Sequence, residues 1–153
     1  SSSYGREFSE SIRGDWGHRE VDDVCSGVDH LADRGWVDPE RTYATGFSYG
    51  GITTGYLVTS TDRFAAAAAE HGIYDLRSSY RIDAPLLVTA GGEDWRCPPS
   101  QSEQLYVSVK KQGVPAKLVV YPDEHHAIGD PDRAVHRLET IADWFAAHDP
   151  GTV

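Results

Sequence analysis

The sequence predicts an α/β fold of about four mostly parallel strands flanked by helices. Two observations carry this. Short apolar runs bounded by turn residues alternate with stretches of helical spacing, the signature of a parallel sheet covered on both faces. One run, Leu86-Leu87-Val88-Thr89-Ala90, is apolar almost throughout, as a strand buried on both faces requires. The chain has 153 residues, which suggests a single domain, 1–153, able to bury a real core.

Each element can be read in order. Val21, Val24, Val28 and Leu31 fall at helical spacing, with Asp22, Asp23 and Asp29 on the other face, and Gly35 closes that helix. "RTYATGF" reads as a strand and "YGGITTGYLVTS" as a helix entered through glycines. "FAAAAAE" suits helix or strand, and its place between turns favours a strand. "APLLVTAGGED" is a strand started by Pro85 and stopped by Gly91-Gly92. A helix follows from Ser100 to Gln112, with Leu105 and Val109 inward, and Gly113 ends it. "AKLVVYP" is the last strand. A final helix, Asp132 to His148, puts Val135, Leu138, Ile141, Ala142 and Phe145 on one face.

Composition narrows the partners. Lys and Arg number 14 against 24 Asp and Glu, a formal charge of −10. Such a surface lacks the basic patch that nucleic acid or an anionic membrane requires. No apolar run approaches the roughly 20 residues needed to span a bilayer. "SSSYGREFSE" has neither the basic start nor the apolar middle of an export signal, so the expected location is cytoplasmic. Cys25 and Cys97 are far apart, with no metal-ligand spacing, so free thiols are expected and neither a metal nor an organic cofactor.

The chemistry is concentrated after three strands. Gly46-Phe47-Ser48-Tyr49-Gly50 is a Gly-x-Ser-x-Gly between a strand and a helix, the context a nucleophile turn needs. That turn is sharp and leaves little room beside it, which Gly46 and Gly50 suit, and Gly51 allows close helix packing. A serine hydroxyl needs a base to accept its proton and a carboxylate to orient the base. "PLLVTA" ends in Glu93-Asp94 and "KLVVY" leads to His125-His126, so serine, acid and histidine arrive in order past three strand ends. From the residues alone, Glu93 or Asp94 could be the acid, and His125 or His126 the base. His18, His30, His71, His136 and His148 are dispersed and read as surface or structural.

These residues resemble a known family. "YGREF" with "GDWG" and "EVDD", "GWVDPERTYATGFSYGG", "TDRFAAAAA", "APLLVTAGGEDWRCPPSQSEQLY" and "YPDEHHA" are similar to the catalytic domain of prolyl oligopeptidase family serine peptidases, nearest the acylaminoacyl-peptidase-like branch. The resemblance covers nearly the whole chain. It implies that Ser48 is the nucleophile, His126 the general acid/base and Asp94 its orienter, with Tyr49 supplying an oxyanion N–H. Arg96 matches a frequent family arginine, with a loop-supporting ion pair as its implied role. His18 departs from the family pattern at a helix entrance.

The resemblance also implies a truncated α/β-hydrolase, the C-terminal portion of a catalytic domain. The N-terminal strands, the β-propeller and the loop supplying a second oxyanion donor are expected to be missing. Small activated esters or short peptides are then the expected substrates. The alternatives are a low-activity fragment of a larger peptidase and a non-catalytic assembly module. The strand before Ser48 is expected to present an open edge, and hence a homo-oligomer.

Overall fold

The computed structural model describes residues 2–74 and 81–152. Contacts divide the chain into two compact units, 1–39 and 40–153.

The first unit holds two helices after a short 3-10 turn: α1, Arg6–Glu10, and α2, Arg19–Asp33. α1 lies in a stretch for which the sequence pattern predicted no element. The Tyr4 and Phe8 rings meet there with centroids 5.2 Å apart. The entrance of α2 is stitched by side chains: Glu20 Oε1 accepts the Gly17 N–H at 2.9 Å. His18 Nδ1 lies 2.6 Å from Asp15 Oδ1. Gly35, at φ 67°, ends the segment as expected, because a left-handed residue after a helix is cheapest as glycine. Of the four apolar residues at helical spacing, Val21 is buried, while Val24 and Leu31 are more than a third exposed.

The second unit is a four-stranded sheet in the order β1-β2-β3-β4, every pair parallel. Its elements are β1 (Tyr43–Phe47), α3 (Tyr49–Ser60), β2 (Ala66–Glu70), β3 (Leu86–Gly91), α4 (Pro99–Lys111), β4 (Ala116–Tyr121) and α5 (Pro131–Ala147). Every residue of β2 and β3 is buried, so both faces of the central strands are covered. α3 packs on β1 and β2, α4 on β3 and β4, and α5 on β2. The alanine run is therefore a strand. Ala66 to Ala69 are 0% exposed, and their small side chains let the covering elements approach closely.

α5 departs from its expected packing. Val135 and Leu138 are 54% and 59% exposed and Ala142 is exposed, while Thr140 is the residue it buries. Helical spacing marks an apolar face but does not supply a partner for it. Phe145 does pack, with its ring 4.9 Å from that of Tyr43. α5 begins on Asp130, whose side chain accepts the N–H groups of Asp132 and Arg133.

The ladder continues past the strand ends. Ser48 N–H donates to Glu70 O, His71 N–H to Thr89 O and Gly92 N–H to Tyr121 O, all within 2.9 Å. Three residues that directly follow strands are thus pinned side by side at the C-terminal edge of the sheet.

Candidate active site

Ser48 sits between β1 and α3 at φ 59°, ψ −117°. Positive φ is uncommon for a residue with a side chain and is held only where the surroundings over-determine it. A Cβ on Gly46 would lie 2.4 Å from the Gly50 carbonyl, so that position admits no side chain. Gly50 differs from expectation: a Cβ there would meet nothing within 4 Å. It is the backbone of Gly50, pressed on Gly46, that the turn uses. A Cβ on Gly51 would lie 2.3 Å from Glu70 O, so glycine there lets α3 close on β2.

Asp94 is fixed by its own loop. Asp94 Oδ1 accepts the backbone N–H groups of Arg96 at 2.9 Å and Cys97 at 2.8 Å. Burial alone would raise the Asp94 pKa; the Cys97 N–H, the His126 imidazole and the Arg96 N–H outweigh it, and the carboxyl lies below its ordinary value. Arg96 acts here through its backbone. Its exposed side chain makes no ion pair among the described residues, contrary to the loop-supporting pair expected of it. Glu93, beside Asp94, is exposed.

The histidine loop is short and held from inside. Glu124, buried, accepts the N–H groups of Gly129 at 2.7 Å and Asp130 at 3.2 Å, and pairs with Arg133. Arg133 also donates to the Pro122 carbonyl. Gly91 lets this loop approach, since a Cβ there would lie 2.3 Å from the His125 carbonyl oxygen. His125 is exposed, with Nδ1 3.0 Å from Glu93 O, which ties the two loops together. His126 turns inward. Its Nδ1 is 2.8 Å from Asp94 Oδ2 and its Nε2 is 2.8 Å from Ser48 Oγ.

So Ser48, His126 and Asp94 form one continuous hydrogen-bonded relay, and Glu93 and His125 stand outside it. A Ser–His–Asp relay of this geometry can remove a hydroxyl proton as the oxygen attacks an acyl carbon. Tyr49 is the first residue of α3, so its backbone N–H belongs to a helix N-terminus, where negative charge is favoured.

Two neighbours were missed. Phe47, in the variable position before Ser48, places its ring 5.2 Å from that of His126 and 5.0 Å from that of His71. His71, read as surface or structural, is 0% exposed and its Nδ1 lies 3.6 Å from Asp94 Oδ2. The available hint was its place directly after a strand that ends beside Ser48. His71, Asp94 and His126 offer ligand atoms within 4.8 Å of one another. A zinc ion about 2.0–2.1 Å from each donor would require them to draw closer. Asp94 Oδ2 is already engaged by His126, so the donor set fits a proton relay better than a cation. Cys25 and Cys97 are free thiols. No helix among the described residues is long and apolar enough to cross a membrane.

Comparisons with known proteins agree with this architecture. The model of the prolyl oligopeptidase family matches residues 1–84 and 78–149. The uncharacterized peptidase YuxL of Bacillus subtilis (strain 168) is 34% identical over 97% of this chain and 28% of its own length. An acylamino-acid-releasing enzyme of Arabidopsis thaliana is 28% identical over 95% of this chain and 25% of its own. Among solved structures, a puromycin-hydrolyzing peptidase of Mycobacterium tuberculosis superposes with a TM-score of 0.91 at 27% identity, covering 97% of this chain and 28% of that one. The chain thus spans little more than a quarter of the length of these relatives. On the family match and the similarity to the Bacillus peptidase together, the chain belongs to the prolyl oligopeptidase family of serine peptidases.

Proposed function

We propose that this chain is a serine hydrolase that cleaves ester or amide bonds through an acyl-enzyme on Ser48. The observation that carries the reading is the relay itself: His126 lies 2.8 Å from Ser48 Oγ on one side and 2.8 Å from Asp94 Oδ2 on the other. Ser48 Oγ attacks the acyl carbon while His126 Nε2 takes its proton. Asp94 remains ionised and holds the imidazolium. The Tyr49 N–H receives the developing oxyanion. His126 then returns the proton to the leaving alcohol or amine. Water, activated by the same imidazole, hydrolyses the acyl-enzyme.

Small activated esters are the substrates this reading favours. Among the described residues the turn offers one backbone donor for the oxyanion, the Tyr49 N–H, and a single donor is typically worth about 10²–10³ in turnover. Substrates with good leaving groups depend least on that stabilisation. A second reading is supported by coverage: the chain matches a quarter or so of an acylamino-acid-releasing enzyme and of a peptidase. On that reading it is part of a larger peptidase and acts on short peptides with low activity by itself.

Fluorophosphonate labelling read by mass spectrometry tests the proposal. Ser48 should be modified in the wild type, and no site should be modified in Ser48→Ala. p-Nitrophenyl butyrate should be hydrolysed by the wild type at least about 10³-fold faster than by Ser48→Ala. Equal rates would overturn the reading.

A further inference from the structure

His71 has no place in the mechanism above, yet it is built into the site. It follows β2 directly, at φ 49°. Its ring lies against those of Phe47 and His126, with centroids 5.0 and 6.2 Å away. Its Nδ1 is 3.6 Å from Asp94 Oδ2. Among the described residues, neither of its ring nitrogens has a hydrogen-bond partner. Three groups from three segments act on its charge. Asp94, in the β3–α4 loop, favours the cation; His126, in the β4–α5 loop, and Arg137, on α5, oppose it. Burial is the largest influence and, with His126 and Arg137 acting the same way, outweighs Asp94 and lowers the His71 pKa to about 4, so the ring is neutral at neutral pH.

A neutral imidazole carries its proton on one nitrogen only. On Nε2, that proton would be a buried donor without an acceptor, and the Nδ1 lone pair would face a carboxylate oxygen. Both are unfavourable. On Nδ1, the N–H faces the carboxylate. At 3.6 Å this is an electrostatic contact rather than a formed hydrogen bond, of a kind that tightens when a site closes on its substrate.

We infer that His71, as the Nδ1–H tautomer, is a positioning residue that gives Asp94 Oδ2 a second imidazole donor beside His126. This deepens the serine hydrolase reading and rests on it. Asp94 then faces four N–H groups: those of Arg96 and Cys97 on Oδ1, and the two imidazoles on Oδ2. That number matches the roughly four lone-pair sites of a carboxylate. With its charge shared, Asp94 draws less strongly on the His126 proton, and the relay works at lower pH than it otherwise would.

Two measurements on the full chain test this. ¹⁵N-resolved imidazole NMR needs no turnover. His71 should appear as the neutral Nδ1–H tautomer between about pH 6 and 8. An Nε2–H tautomer or a charged ring overturns the inference. The second measurement is the pH profile of Ser48 labelling in wild type, His71→Asn and His71→Phe. Asn keeps an N–H donor near the Nδ1 position and tolerates positive φ. Phe keeps the ring volume without the donor.

The acid limb of the Phe variant should move up by about half a pH unit or more, while Asn restores the wild-type limb. The reverse order, Phe normal and Asn shifted, makes His71 a space filler and overturns the inference. If wild type is not labelled at all, the hydrolase reading fails, and the tautomer alone decides what His71 does beside Asp94. The tautomer also decides if the Phe variant does not fold.

Discussion

Ser48 and His71 share a backbone peculiarity: each follows a strand directly, and each is a residue with a side chain held at positive φ. Such conformations cost of order 1–3 kcal/mol and persist where the surroundings enforce them. Their N–H groups show the enforcement, each donating to the next strand's carbonyl at 2.9 Å. Burial of His71 has a measurable result. Its folded pKa, about 4, lies below its ordinary 6.5, so the unfolded chain binds the proton first as pH falls. Stability from this group is therefore present above about pH 6.5 and is lost as pH falls from there to about 4, by on the order of 3 kcal/mol. Urea unfolding at several pH values should show that slope in wild type and a flatter one in His71→Asn. The Asp94 pKa is lowered too, which for a carboxyl favours the charged form, so its contribution is present above the ordinary carboxylate value and is lost as pH falls through its lowered pKa. Strand-end order made a serine, an acid and a histidine legible in the sequence, but it left Glu93 or Asp94 and His125 or His126 open, and the family resemblance alone pointed to Asp94 and His126. His71 was not, because a lone histidine in "AEHG" gives no sign of which way it turns.

Among the elements, the strands were read well and the helices less so. β3 announces itself by an unbroken apolar run, and all six of its residues are buried. α5 shows what periodicity omits. Its spacing singles out Val135 and Leu138, which are exposed, and ignores Arg137, which ties the helix to the sheet. Arg137 Nη1 lies 2.9 Å from Glu70 Oε2, with side chains 22% and 7% exposed. The guanidinium also lies 5.7 Å from the centre of the Phe47 ring. Burial raises the Glu70 pKa, while Arg137 and Thr45 oppose the rise, so the carboxylate depends on its partners. Arg137→Ala strands that carboxylate and should destabilise the fold by about 3–5 kcal/mol in urea unfolding. Adding Glu70→Gln should recover a measurable part of the loss, because the buried charge is gone. If Arg137→Ala alone is neutral, the pair does not anchor α5.

For the molecule as a whole, exposure is the telling property. β1 is an edge strand, paired on one side with β2 among the described residues, and Phe47 on it is 37% exposed. Together with the apolar face of α5, this edge supports the proposal that copies of the chain associate, since unpaired edges and exposed apolar patches favour pairing. The formal charge of −10 works against association, so added salt should strengthen it. Light scattering at micromolar concentration should find a dimer or larger species. A monodisperse monomer at both low and high salt contradicts the proposal.

The relay joins residues far apart along the chain. The bond from His126 to Ser48 spans 78 positions and that to Asp94 spans 32. Parallel strands cannot pair through tight hairpins, so each of these contacts waits for a crossover to dock. Closing long loops is slow because entropy is lost before the contacts repay it. On the proposed reading, Ser48 therefore stays unarmed until these contacts form. It acquires its base only as β4 joins the sheet and brings His126 into reach.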